Sequence, residues 1–164
     1  MNATRLSLLQ QMPIFGAIQD DALAFLLDSV PSVSVAAGQY FFRERDAADC
    51  MYVLESGHVA VIKDWAGREM VLHQLAAGDC FGEMALLDLS ARSASVRAEA
   101  ECHAMALTPD HLLRLFEHDA VPFALIQMNM AREMSRRLRV SDEQLFRATM
   151  GAVPPAPETT FHTI

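Results

Sequence analysis

The spacing of hydrophobic and polar residues changes twice along the chain. Residues 3–12 and 19–28 place hydrophobic side chains at helical spacing, which predicts two short amphipathic helices. From Val33 to about Leu107 the period becomes two, in eight short runs with glycines between or beside them, which predicts antiparallel strands. Helical spacing returns after Thr108, where a threonine followed by proline is typical of a helix start.

These elements predict an α+β fold in which an antiparallel, jelly-roll-like β-roll lies between helices. The expected division is an N-terminal helical segment (1–32), the β-roll (33–108), C-terminal helices (109–148) and a tail (149–164). The longest helix is expected over about 121–147. The tail is rich in Pro, Ala and Thr, which predicts disorder.

Composition narrows the function classes. The chain has 164 residues, with 13 Lys and Arg against 21 Asp and Glu, so the formal net charge is −8. A hydrophobic content of 52% with 21% charged residues indicates one packed domain. The acidic balance works against a nucleic-acid binder that depends on bulk charge, although it leaves room for a local basic patch.

The three cysteines, Cys50, Cys80 and Cys102, are an odd number at wide spacing. They fit buried or free thiols in a reducing cytoplasm better than a disulfide framework. The N-terminus lacks the apolar core of a signal peptide, and no window is long and apolar enough to cross a membrane. The six histidines show no metal-ligand spacing, so no metal site is expected.

The stretch FGEMALLDLSARSASV, residues 81–96, carries the candidate chemistry. Gly82 permits a close approach of backbone to ligand, and a short helix over Glu83–Leu89 would present unpaired N–H groups to an anion. Arg92 supplies a forked cation and Ser93 a hydroxyl, a set that suits a phosphate. Glu83 can accept a hydrogen bond from a sugar hydroxyl, so the stretch predicts a ribose-phosphate site.

The stretch resembles the phosphate-binding cassette of cyclic nucleotide-binding domains, the family of the catabolite activator protein and the protein kinase A regulatory subunit. The resemblance covers about residues 10–147, because MPIFGAIQDDALAFL is similar to the family's entry helices and VAAGQYFFRERDAADCMYVLESGHVAVI to its first strands. The family often has glycine at the position of Arg45. We expect this departure to affect a surface turn and not the pocket.

The resemblance implies a role for each matching residue. Glu83, helped by Gly82, would bind the ribose 2′-hydroxyl, and Arg92 with Ser93 would hold the cyclic phosphate. The other implied contacts are backbone N–H groups around Met84, Ala85 and Ala94, the base- and sugar-lining side chains Val61, Leu72 and Leu75, and the C-terminal residues Arg137, Ser141 and Asp142. Ser93 favours cAMP as the ligand, whereas Asp142 could also pair with guanine, so cGMP stays possible.

Four apolar residues, Ile126, Met130, Met134 and Leu138, step by four along the long helix. One interpretation is a homodimer seam through residues 122–147, as in the family's transcription factors. The other is a helix packed on its own roll. The arginines of this segment are expected to form a solvated face.

Only 14 residues (164 − 150) follow Met150, which is too few for a helix-turn-helix domain. The expected protein is therefore a stand-alone receptor without DNA binding, whose signal passes to a partner protein that the sequence does not identify. An alternative from another class is an interaction scaffold with an empty or repurposed pocket. A phosphodiesterase would need a metal site or a general base, and neither is visible, so no enzyme activity is expected.

Overall fold

The computed structural model describes residues 2–88 and 90–151, except for the side chains of residues 2, 3 and 85. Two 3-10 helices span Pro13–Phe15 and Glu83–Leu86. The helices are α1 (Asn2–Gln10), α2 (Asp20–Leu27), α3 (Pro109–His118) and α4 (Ala120–Gly151). The strands are β1 (Ser32–Val35), β2 (Tyr40–Phe42), β3 (Met51–Ser56), β4 (His58–Trp65), β5 (Arg68–Ala76), β6 (Cys80–Phe81), β7 (Ser95–Ala98) and β8 (Cys102–Leu107).

The strands form two antiparallel four-stranded sheets, with orders β1-β8-β3-β6 and β2-β7-β4-β5. Each of the eight apolar runs in the sequence corresponds to one strand, and the predicted α+β roll is confirmed. The sequence order alternates between the sheets, so consecutive strands are often on opposite walls of the roll. This arrangement places β6 and β7, which flank the candidate cassette, in different sheets.

The β4–β5 hairpin closes on the turn Asp64–Gly67. The backbone φ angles of Ala66 (53°) and Gly67 (77°) are both positive, which the tight two-residue hairpin turn requires. The Asp64 carboxylate accepts a hydrogen bond from the Gly67 N–H at 3.2 Å. Glycine takes this backbone conformation without strain, which explains its place at the end of the turn.

The first core cluster lies between the sheet that contains β3 and the helices. Met51 and Val53 of β3 face this side, together with Met105 of β8. The helices contribute Phe15, Leu23, Leu26, Leu115, Ile126 and Met130, all at most 2% exposed. Because β3 also buries Leu54 on its opposite face, the strand is apolar along most of its length rather than strictly alternating.

The second core cluster fills the interior of the roll. Its buried members are Leu54, Val59, Phe81, Val96, Ala98, Cys102 and Ala104. Four aromatic rings pack together beside them: Phe41 and Phe42 of β2, Tyr52 of β3 and Phe81 of β6, with ring centroids 5.0–6.1 Å apart. These rings give the roll a rigid interior next to the candidate cassette.

The chain divides into two compact units, one up to Met130 and one from Ala131 onward, and α4 contributes to both. In the first unit, the buried Asn129 side chain donates hydrogen bonds to the carbonyls of Ile14 (3.2 Å) and Gly16 (2.9 Å). The helix continues to Gly151, three residues into the predicted tail, and the rest of the tail lies outside the described residues.

The second unit is the C-terminal part of α4, whose arginines pair with acids of the same helix. Arg136 and Arg137 both bond to Glu133, and Arg147 bonds to Glu143 at 2.8 Å. The pairs with Arg136 and Arg137 hold the pKa of Glu133 below its usual value, and the hydrogen bond from Arg136 is the main cause. None of the helices within the described ranges is long and apolar enough to cross a membrane.

An ion pair joins α1 to β3. Arg5 bonds to both carboxylate oxygens of Glu55, at 2.6 and 3.2 Å, and the Ser32 hydroxyl adds a bond of 2.8 Å. Burial opposes ionisation of Glu55, yet the bonds from Arg5 and Ser32 outweigh it and hold its pKa below the usual value. A lowered pKa stabilises the fold above the unfolded-state pKa, and this stabilisation is lost as pH falls through the folded-state pKa.

We therefore expect Arg5→Met to lower the free energy of unfolding at pH 7 by about 1–2 kcal/mol. The difference from the parent protein should begin to shrink as pH falls below the ordinary glutamate pKa of about 4.3, and it should disappear as pH falls through the lowered pKa of Glu55 in the folded state. Urea unfolding followed by circular dichroism between pH 3.5 and 7 measures it. Arg68→Met, which removes an equal charge from the exposed hairpin, is the control. A loss for Arg5→Met that is constant with pH would contradict the prediction.

Candidate functional site

The candidate cassette connects β6 of one sheet to β7 of the other. Gly82 ends β6 with a left-handed backbone (φ 75°), which turns the chain into the 3-10 helix Glu83–Leu86. The expected helix over Glu83–Leu89 is therefore shorter, since only Glu83–Leu86 is helical and Leu89 lies outside the described residues. The N–H groups of Leu87 and Asp88 both bond to the Met84 carbonyl, so the segment closes as a tight turn.

Arg92 is buried where the cassette returns to the roll, with 5% of its surface exposed. Its Nη1 donates to the carbonyls of Cys50 (2.7 Å) and Gly82 (3.3 Å). Its Nη2 bonds to the Asp49 carboxylate at 3.2 Å. Among the described residues, Arg92 Nε is a buried nitrogen with no hydrogen-bond partner. A buried donor without a partner is costly, so this atom marks a place where a ligand acceptor would be favourable.

Glu83 is the second buried charge of the cassette, 6% exposed, and it begins the 3-10 helix directly after Gly82. The structure thus buries one carboxylate and one guanidinium in the same loop. Charged side chains are seldom buried unless they are paired or bind something. Glu83 and Arg92 were both chosen from the sequence as ligand-binding residues, and that role stays a prediction.

The remaining cassette residues lie at the surface or just beneath it. Ser93 is exposed, and its hydroxyl is 4.0 Å from the sulfur of Met84, which is also exposed. Ala94 is buried, while the side chain of Ala85 lies outside the described structure. Gly82, Met84, Arg92 and Ser93 are therefore joined by direct contacts within one loop.

A lysine of β4 fixes the end of the cassette. Lys63 Nζ donates to the Ser93 carbonyl (2.6 Å) and to the Glu44 carboxylate (2.7 Å). The Glu44 N–H in turn bonds to the Ser95 hydroxyl at 2.8 Å. The hydrogen bond from Lys63 holds the pKa of Glu44 below its usual value. Ser93 is thus held in place through its backbone carbonyl, so its hydroxyl is not needed to hold it there.

The predicted lining residues differ in their surroundings. Val61 and Leu75 pack against the interior cluster of the roll, whereas Leu72 is 43% exposed. Arg137, Ser141 and Asp142 belong to the second compact unit, where Ser141 and Asp142 are exposed and Arg137 bonds to Glu133 at 3.1 Å. Contact of these six residues with a nucleotide stays a prediction.

The turn at Arg45 is more closely connected to the cassette than expected. Arg45 is exposed and has a positive φ of 74°, which agrees with a surface turn that often carries glycine. However, the Arg45 N–H donates to the Arg92 carbonyl at 2.8 Å, and the Arg92 N–H donates to the Asp46 carbonyl at 2.9 Å. The departure at Arg45 thus falls in a surface turn, as expected, and the backbone of this turn also holds that of Arg92. That the arginine side chain leaves the pocket unaffected stays a prediction.

Sequence reasoning missed three residues that surround the guanidinium: Phe42, Asp49 and Cys50. The Phe42 ring centroid is 4.0 Å from Arg92 Cζ. Cys50 also approaches Arg92 with its sulfur, 3.8 Å from Nη2, and burial raises the pKa of its thiol. The sequence offered one signal for Asp49. It is an acidic residue directly before the apolar run that forms β3, at the end of the roll where Arg92 is bound.

The structure also shows the surroundings of the three cysteines and of the possible metal ligands. Cys50, Cys80 and Cys102 are all buried, as the sequence predicts. Within the described ranges, no group of three or more His, Cys, Asp or Glu side chains is arranged to hold a metal ion.

Comparison with known proteins gives one family. The profile described as "cyclic nucleotide-binding domain" matches residues 32–119. The match spans all eight strands, the cassette and α3.

Individual relatives are similar over larger parts of the chain. A cAMP-dependent protein kinase regulatory subunit of Emericella nidulans is 35% identical over 107 residues, 65% of this chain and 26% of that protein. An uncharacterised NTE family protein of Mycobacterium tuberculosis is 32% identical over 133 residues, 81% of this chain and 22% of that protein. The crystal structure of the Thermus thermophilus catabolite activator protein superposes with a TM-score of 0.75 at 29% identity, covering 84% of this chain and 63% of that one.

The chain thus spans about a quarter of the length of these two sequence relatives. The similarity therefore concerns one domain of each relative. It does not extend to the activity or the partners of the whole relatives.

Proposed function

This chain belongs to the cyclic nucleotide-binding domain family, and on that premise we propose that it is a receptor for a cyclic nucleotide, with cAMP preferred over cGMP. The observation that carries the proposal is the buried Arg92, which is anchored through both Nη atoms while its Nε has no hydrogen-bond partner among the residues that the structure describes. In this proposal Nε and the Ser93 hydroxyl bind the cyclic phosphate. The buried Glu83 accepts the ribose 2′-hydroxyl.

The choice of cAMP has two supports. The residue after the arginine is Ser93, and threonine at this position is common in relatives that prefer cGMP. A relative 35% identical to this chain is named a cAMP-dependent protein kinase regulatory subunit. Arg92 and Glu83 cannot discriminate, because cyclic phosphate and ribose are common to both nucleotides.

A calorimetric titration with cAMP and with cGMP tests the proposal. We expect cAMP to bind at least about tenfold more tightly, a difference of about 1.4 kcal/mol, and Asp142→Ala to keep this preference. Glu143→Ala, which removes the neighbouring carboxylate, is the matched control. A preference for cGMP that Asp142→Ala abolishes would identify Asp142 as the selector and overturn the choice of ligand.

Binding of the nucleotide should also raise the free energy of unfolding of the chain. Nucleotide at about 100 times Kd should add about 2.7 kcal/mol to the free energy of unfolding. If neither nucleotide binds or stabilises the chain, the alternative of a scaffold with an empty or repurposed pocket replaces the receptor.

We propose that the signal leaves through α4. Leu86 of the 3-10 helix packs against the first core cluster, which also contains Ile126 and Met130 at the start of α4. A ligand that binds one arrangement of the cassette more tightly would shift the packing of this cluster. Hydrogen exchange is expected to slow both in 82–96 and in 122–147 when nucleotide binds. Protection confined to the cassette would reject this route.

A homodimer through α4 is part of the proposal. Ile126 and Met130 are already buried in the chain's own core, so the seam would use the later positions of the stripe. Leu138 is 62% exposed, and Leu145, seven residues on, is 68% exposed, a spacing that suits a helix–helix seam. Sedimentation velocity with and without nucleotide measures the oligomeric state.

The last part of the proposal concerns the class of protein, its partner and its location in the cell. A binding protein rather than an enzyme is favoured by relatives named as a regulatory subunit and a catabolite activator protein. The net charge of −8 favours a protein partner over DNA, and three buried cysteines at wide spacing favour the cytoplasm.

A further inference from the structure

The buried guanidinium of Arg92 lies on an aromatic ring. Its Cζ is 4.0 Å from the centroid of Phe42 and 6.0 Å from that of Tyr52. These two rings are themselves stacked, with centroids 6.0 Å apart and planes 26° apart. The flat cation therefore has a supporting surface made by residues of β2 and β3, outside the cassette.

The hydrogen bonds of Arg92 use both Nη atoms of its guanidinium. Nη1 bonds to the Cys50 and Gly82 carbonyls, and Nη2 bonds to Asp49. The buried Nε has no partner among the described residues. The Nη atoms thus fix the far end of the group, and the ring limits its tilt, which determines where the Nε–H points.

An aliphatic side chain could fill the volume of Phe42 without replacing this support. A cation is attracted to the face of an aromatic ring, and the attraction grows when the pair is withdrawn from water, as it is here. Arg92 is 5% exposed, and Phe42 is half-buried against the interior cluster of the roll.

We infer that Phe42 is a positioning residue for phosphate binding: it supports the face of the Arg92 guanidinium and so directs Nε toward the anion. The inference rests on the proposed function, because it assigns a task within the same site. Phe42 acts through Arg92 and need not touch the nucleotide.

The test compares two phenylalanines of one cluster. Phe42→Leu is expected to weaken cAMP binding about three- to tenfold in calorimetry. Phe42→Tyr, which keeps the ring, should restore most of the affinity. Phe41→Leu is the matched control, because Phe41 packs on Tyr52 and Phe81 in the same interior. Its affinity is expected to stay within about twofold of the parent protein.

Two further measurements separate positioning from packing. In the Arg92→Ala background, Phe42→Leu should have no further effect on affinity, whereas a defect in packing would persist. In NMR spectra without nucleotide, the ring current of Phe42 should shift the Arg92 Nε–H signal, and Phe42→Leu should remove that shift. Should Phe42→Leu fail to fold, Phe42→Met, which keeps more side-chain volume, takes its place.

The outcomes are distinct. If the parent protein binds neither cAMP nor cGMP, the proposed function fails, and this inference fails with it. If the parent binds and Phe42→Leu binds equally well, or loses affinity equally in the Arg92→Ala background, only the positioning role of Phe42 is overturned.

Discussion

Arg92→Ala is expected to weaken cAMP binding by about 30- to 150-fold, or about 2–3 kcal/mol. The substitution removes the buried cation of the cassette and with it the Nε donor that has no partner within the described part of the chain. A charge-assisted hydrogen bond to a phosphate is strong because both groups are charged and the site is shielded from water. Calorimetric titration with cAMP measures the loss.

The control for this substitution is Arg97→Ala. Arg97 belongs to β7, directly after the cassette, and pairs with Glu99 (2.9 Å) and Glu69 (3.5 Å) at the surface. The Arg97→Ala substitution removes the same charge from the same region, and we expect it to change the affinity for cAMP little. Thermal unfolding of both variants shows that they are folded under the titration conditions. A Kd for Arg92→Ala within about threefold of the parent value would overturn the assignment of the site.

The strands could be predicted because the sequence separates them clearly. Each apolar run is short and ends near a glycine or a polar turn, so its limits were visible even where both faces are buried, as in β3. The cassette was predictable for a different reason. Gly82, Glu83 and Arg92 combine a backbone without a side chain, a carboxylate and a guanidinium within eleven residues, and few tasks need all three.

The support behind Arg92 could not be predicted in the same way. Phe41 and Phe42 are adjacent, and strict alternation would send only one of them inward. The β2–β7 register is irregular between Tyr40 and Phe42, and both phenylalanines pack against the roll interior. Which ring meets the guanidinium depends on this irregularity. Asp49 is in an irregular segment with no periodicity, so only the folded chain shows its bond to Arg92.

The long helix shows a related limit. Ile126, Met130, Met134 and Leu138 share one spacing, and the pattern alone does not say which surface each residue meets. In the structure Ile126 and Met130 are fully buried, whereas Leu138 is 62% exposed. For the first half the interpretation of a helix packed on its own roll is confirmed. For the second half the dimer seam stays a prediction.

Gly82→Ala is expected to weaken cAMP binding on the order of 30-fold, or about 2 kcal/mol. A Cβ at this position would lie 2.6 Å from Arg92 Nη1 and 3.3 Å from both the Cys50 carbonyl oxygen and the Phe42 ring. The end of an arginine can move aside, so the fold should survive. The guanidinium would nevertheless lose its bonds to Cys50 and Gly82, and its fit on Phe42 would change. Calorimetry with cAMP measures the effect.

The backbone strain in this variant has a matched control. Gly82 and Gly38 have similar positive φ angles, 75° and 80°, and alanine at either position costs about 1–2 kcal/mol of stability for that reason. A Cβ at Gly38 would meet no atom within 4 Å, so Gly38→Ala adds strain without touching a site. We expect Gly82→Ala to lose at least as much stability as Gly38→Ala in urea unfolding, and only Gly82→Ala to lose affinity. Equal affinities would mean that the close packing of Gly82 against Arg92 does not matter for binding, because the strain is common to both.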